Sequence, residues 1–216
     1  MIKSAVLLLA FTLAVHACND VKTTNGQATT AENAEVYNVD TSAYYFPKKA
    51  FRDYNDSTKG NSFKLDWYSG MLRALKEPVL FTEAGEGEVY RFTCLRTFHA
   101  PFAIRVIHKT GDITMLVLKI SDGAGGYTSK NLVRNETKAL SEADWARLTA
   151  ALNSTAFWNM PTEKPDFGCD GSEWIVEGRK NGEYHVVARW SPRKGDFYGL
   201  GKKMIELSGA RITPLY

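Results

Sequence analysis

The chain has 216 residues, 44% hydrophobic and 24% charged, with 27 basic residues against 24 acidic ones and a formal net charge of +3. Such a length supports one substantial core and excludes two comfortable domains once a terminal segment is set aside. The near-balance of charge, with no long basic run, excludes the clustered face on which nucleic-acid binders depend, so no nucleic-acid partner is expected.

Taken in chain order, Met1, Ile2 and Lys3 supply one positive charge, and SAVLLLAFTLAV then runs uncharged to Val15, ahead of Ala17 and Cys18. A basic start, a short apolar core and a small residue at the cut predict a secretory signal over residues 1–17. The run falls short of the roughly 20 apolar residues that a bilayer-spanning helix needs. The string VHAC resembles the lipobox of bacterial lipoproteins, with Val15, Ala17 and Cys18 matching and His16 departing. That resemblance implies that the Cys18 thiol receives a diacylglyceryl group and becomes the first residue of the mature chain, so that a membrane is the first expected partner. A plain cleaved signal is the competing reading. Asn19 is not the aspartate associated with inner-membrane retention, which points to the outer membrane, periplasmic side. Residues 18–40 then read as the lipidated cysteine and a tether rich in Thr, Asn, Ala and Glu. Such a segment cannot bury enough apolar surface to offset its ordering entropy, and its root-mean-square reach would be about 25 Å.

Residues 41–216 are expected to form a single α+β domain. NSFKLDWYSGMLRALKEP predicts a helix in which Phe63, Trp67, Met71 and Leu75 recur every four residues, Leu65, Tyr68 and Leu72 broaden the face, and Pro78 ends it. PVLFTE, EVYRFTCLRTF, PFAIRVIH, DITMLVLKIS and NLVRNETKAL then read as an antiparallel meander. Tyr90, Phe92, Cys94 and Phe98 share one face of its second strand. LSEADWARLTAALN switches to helix, with Ser141 and Asp144 placed as a capping box and Trp145, Leu148 and Leu152 as a stripe. In SEWIVEGRKNGEYHVVARWSP, Asn181-Gly182 predicts a two-residue type I′ hairpin turn. That turn sets Lys180 opposite Glu183, Gly178 opposite His185, Val176 opposite Val187 and Trp174 opposite Arg189, the last a candidate cation–π pair. The final helix places Phe197, Leu200, Met204 and Leu207 on one face, with Asp196 as its N-cap.

With Cys18 taken by lipid, Cys94 and Cys169 are left, and two thiols in an oxidising compartment predict a disulfide. It would close a loop of about 75 residues, worth on the order of 4 kcal/mol by chain entropy. Two separate thiols or a metal pair are the alternatives, although no CxxC or HxxH spacing favours a metal. No G-x-S-x-G elbow, HExxH or Cys–His signature is present, so no catalytic residue, metal or cofactor is assigned. DGAGGY lacks the Lys-Ser/Thr of a phosphate cradle and reads as a flexible connection; SPRKGD, ahead of the last helix, is a weak anion candidate.

The strings YRFTCLRTFH, DGAGGY, DGSEWIVEG and YHVVARWSP, spanning roughly residues 86–208, resemble a group of bacterial envelope proteins without an assigned activity. The resemblance implies a shared fold. It also implies that the two cysteines replace large apolar residues of that group, as a bridged pair would. Arg96, His99, Asp170, Trp174, Glu177, His185 and Arg189 match the strings and are the candidate binding residues. The expected role is a lipid-anchored envelope protein that binds a protein partner or has a structural part. One alternative is a small hydrolase or transferase using His99 and His185 with Glu177 or Asp170, which requires these groups to converge. Another is a periplasmic inhibitor or immunity protein.

Overall fold

From Glu88 onward the sequence alternates aromatic and β-branched residues with others in period two, and the chain responds with six strands. A computed structural model describes residues 44–51, 63–82, 87–109, 111, 113–126, 131–165 and 168–216. The signal, Cys18 and the tether of residues 18–40 lie outside the described residues. The strands are β1 (Glu88–Arg96), β2 (Phe102–Lys109), β3 (Ile113–Ser121), β4 (Leu132–Leu140), β5 (Ser172–Lys180) and β6 (Glu183–Trp190), and the helices α1 (Phe63–Ala74), α2 (Glu142–Ser154) and α3 (Asp196–Ser208). A single 3-10 turn, Phe157–Asn159, follows α2. All strand pairs are antiparallel, in the order β4-β3-β2-β1-β5-β6. The molecule is therefore an α+β domain whose central strand, β1, is flanked by the meander on one side and the hairpin on the other.

Both faces of the sheet are covered. Tyr90, Phe92 and Cys94 of β1 face α2 and α3, meeting Leu148, Leu152, Phe197, Leu200, Met204 and Leu207. Leu95, Ile175, Val186 and Ala188 face the other way, onto Leu65, Tyr68 and Leu72 of α1 and the preceding segment with Tyr45, Phe46 and Phe51. Strand β1 is buried along almost its whole length, as a strand covered on both sides must be.

Local signals explain the boundaries. Helix α2 starts where the Ser141 hydroxyl accepts from the Asp144 amide and the Asp144 carboxylate accepts from the Ser141 amide, the expected capping box. Asn181 at φ 52° and Gly182 at φ 80° form the hairpin turn, and all four expected cross-strand pairs of β5 and β6 occur.

Other expectations are corrected. Residues 78–82, the described part of PVLFTE, form no strand, because residues 77–79 carry Glu77 into the sheet and the chain turns at 80–82. Phe63 is 71% exposed and Phe98, past the end of β1, is 56% exposed, so neither joins the core; the buried face of α1 is set by Leu65, Tyr68 and Leu72. Gly195 with φ 86°, not Asp196, is the N-cap of α3. The described part of DGAGGY is no slack connection: Gly125 donates to the carbonyls of Arg96 and His99 at 2.7 and 3.0 Å, and a Cβ there would lie 2.5 Å from the Arg96 nitrogen. Nor does Arg189 stack on Trp174. Its guanidinium lies 5.6 Å over the Phe197 ring, and Trp174 stacks on Tyr198. Cys94 and Cys169 are not joined in the structure, the first being sealed in the core and the second exposed in the loop before β5.

Candidate functional site

Apart from Asp170, the candidate residues separate into three places. At the far end of β1, Arg96 and His99 converge on the last seven residues, 210–216, which lie across the ends of β1 and β5 as a strap. Arg96 donates to the carbonyls of Thr213 at 3.4 Å, Pro214 at 3.1 Å and Ala100 at 2.7 Å, and its guanidinium lies 5.6 Å over the Phe102 ring. His99 Nδ1 is 2.9 Å from the Tyr216 hydroxyl, which also accepts from the Phe98 amide at 3.3 Å. The Ser172 hydroxyl donates to the Tyr216 main-chain oxygen and accepts from Trp174 Nε1 at 2.9 Å. Ile212 and Leu215 pack against the core. Beside Ser172, burial pushes the Cys94 thiol up to about 12, against the pull of Arg96, which leaves it unreactive. This end of the sheet holds the strap by its carbonyls and one aromatic side chain.

Glu177 lies elsewhere, on the α1 face, in an ion cluster that sequence reasoning missed. Arg91 Nε and Nη2 donate to its two carboxylate oxygens at 2.7 and 2.8 Å, both residues being fully buried. The Tyr184 hydroxyl adds a third bond at 2.9 Å. Glu77, carried in by the chain after α1, lies 3.4 Å from Arg91 Nη1, 2.8 Å from Arg105 Nε and 3.1 Å from Lys119 Nζ. Burial raises the Glu77 carboxyl, but Arg91, Arg105 and Lys119 together outweigh it and hold it below the usual carboxylate range. The sequence signal was an arginine set between the aromatic residues Tyr90 and Phe92 of β1. Glu77 is ion-paired with three cations of the sheet, and the cluster fixes the chain after α1 to it.

His185 and Arg189 occupy the third place, along β6. His185 Nε2 is 3.0 Å from the Met160 carbonyl, and burial lowers its pKa below the ordinary value. Arg189 donates to the carbonyls of Thr162 and Pro161 at 3.0 and 2.8 Å. Together with the Ala188 amide on the Thr162 carbonyl at 2.7 Å, they tie residues 160–162 along the outer edge of β6.

The separation removes the acid/base reading. His185 is level with Tyr90, whereas His99 lies beyond Arg96, about 20 Å further along an extended strand. Glu177 points to the opposite face from His185, and Asp170 is exposed in the loop before β5. Arg193 and Lys194 of SPRKGD are exposed as well. Among the described residues, no group of three or more His, Cys, Asp or Glu is placed to hold a metal ion, and no helix is long and apolar enough to cross a membrane.

No protein-family model matches the chain, and no curated protein is found similar to it.

Proposed function

We propose that this chain is a lipid-anchored bacterial envelope protein, moored through Cys18, whose folded part acts by binding a partner and not by catalysis. The observation that carries the reading is the uncharged run that ends on VHAC, with polar sequence directly after it. Support for binding comes from the fate of the ionisable candidates: Arg96, Glu177, His185 and Arg189 are engaged by main chain or by an opposite charge, and His99 by the Tyr216 hydroxyl. None is paired with another as acid and base. Membership in the group of envelope proteins resembled by YHVVARWSP and its companion strings belongs to the same proposal.

Metabolic labelling with a radiolabelled fatty acid in the native host tests the anchor. Label should enter the wild-type chain, be absent from Cys18→Ser, and fractionate with membranes; an unlabelled wild-type chain overturns the reading. Crosslinking in intact envelopes tests the partner, and recovery of nothing above background counts against it.

A further inference from the structure

At the hairpin end of the sheet, away from the strap, lies an open cleft of about 350 Å³ whose walls include Glu88, Tyr90, Asn153, Trp158, Lys180 and Glu183. Its construction begins at Ala156, where φ of 48° breaks the chain out of α2 and swings the 3-10 turn across β5. Gly178 permits this approach, since a Cβ there would stand 2.7 Å from Phe157 Cε1 and 3.0 Å from Tyr90 Cδ1. Phe157 is thereby buried, and the next residue, Trp158, stands edge-on to it and to Tyr90 with ring centroids at 5.4 and 6.2 Å. Trp158 stays half-buried at the cleft wall, next to the apolar Leu152.

The polar side is equally ordered. Strand pairing sets Glu88 opposite Lys180. The Glu88 carboxylate accepts from Lys180 Nζ at 2.8 Å and from the Tyr90 hydroxyl at 2.8 Å, so carboxylate and ammonium neutralise one another and are held in place. Asn153 and Glu183 stand exposed at the rim. The cleft thus offers one indole wall and a ring of amide, carboxylate and ammonium groups, with one cation against two carboxylates. Such a balance repels phosphates and carboxylates, and the polar rim rejects a purely apolar guest. The negative face of an aromatic ring attracts partially positive C–H groups, and fixed polar side chains at the rim pair with hydroxyls. A pyranose ring presents both, one face of C–H groups and an equator of hydroxyls. The volume lies within the range of small-ligand sites, about 300–1,000 Å³.

We propose that this cleft binds a neutral hexopyranoside unit of a glycan, with one sugar face on Trp158 and its hydroxyls on Asn153, Glu183 and the Glu88–Lys180 pair. The site goes beyond the anchoring reading and does not depend on it, because the test below runs on the full chain whether or not it is lipidated.

Full-length protein is titrated with methyl glycosides of glucose, galactose, mannose and N-acetylglucosamine, and with glucuronate, by saturation-transfer NMR. At least one neutral glycoside should bind, with saturation strongest on the C–H groups of one ring face and glucuronate weaker by about tenfold, as expected for an uncompensated like charge. Asn153→Ala and Glu183→Ala, both exposed and outside the core, should each weaken binding by about 3–10-fold, the loss of one hydrogen bond. Trp158→Ala should abolish binding, with circular dichroism checking that the fold persists. The proposal falls if none of the neutral glycosides binds, if glucuronate binds as well as they do, or if the Asn153 and Glu183 variants bind as the wild type does.

Discussion

Arg91 is the residue on which the α1 face turns. Burial works against its charge, and the carboxylates of Glu177 and Glu77 more than offset this, so that the guanidinium is held above its ordinary value. Its bond to Glu177 is bidentate, the strongest geometry an arginine makes with a carboxylate. Taking one partner away strands a buried charge, which costs about 3–5 kcal/mol, whereas replacing both with apolar residues of similar volume is often neutral. Arg91→Met and Glu177→Leu should therefore each lower the urea midpoint severely, and the double variant should recover most of the loss. A double variant as unstable as the sum of the two singles would show that the pair is not one unit.

Among elements, α1 is the one whose docking depends on pH. Lys64 and Tyr68, one turn apart, meet Glu173 of β5, with Lys64 Nζ 3.7 Å from its carboxylate and 3.0 Å from Glu163. Burial pushes the Glu173 carboxyl up to about 7, the Lys64 ammonium pulling the other way. The folded state therefore holds a proton that the unfolded chain releases near its ordinary value of 4.5. Stability from this group is fully present below pH 4.5 and declines as pH rises towards 7, by up to about 3 kcal/mol at 1.36 kcal/mol per unit. Glu173→Gln should flatten that decline and raise the melting temperature at pH 8; an unchanged pH profile from pH 5 to 8 would overturn the assignment. The outer strands show a different element-scale device. Edge strand β4 carries the exposed pair of Arg134 and Glu136, bonded at 2.6 Å, and edge strand β6 is capped by residues 160–162, both of which discourage edge-to-edge association.

For the whole molecule, the strap joins the end of the chain to the middle of the sheet. It covers the end where Cys94 sits behind Ser172 and Trp174. Deleting residues 210–216 should cost about 2–3 kcal/mol, from the half-buried Ile212 and Leu215 and the Arg96 hydrogen bonds. Local opening of a region follows its own free energy, so labelling of Cys94 by a thiol reagent should accelerate by at least about tenfold while the exposed Cys169 reacts as before. Peptide-resolved mass spectrometry reads the two sites separately. Cys94 labelling at the wild-type rate would mean that the strap does not guard this end, and loss of both thiols from the unreduced, denatured protein would reveal a bond between them.

By itself the sequence determined what is local. The capping box of α2, the Asn181-Gly182 turn and the pairing of β5 with β6 depend on neighbours within a few positions, where backbone φ and side-chain period leave one answer. The buried stripe of α3 was legible for the same reason. Only the tertiary structure decided that β5 adds to β1, because nothing in either strand names its partner at a distance of some eighty residues. With that pairing came the encounter of Arg91 with Glu177 and the cleft under Trp158. The same step parted His99 from His185, since a strand carries its residues away from each other at about 3.3 Å per position. Closeness between distant residues is a property of the packed sheet, settled by burial and charge neutralisation together.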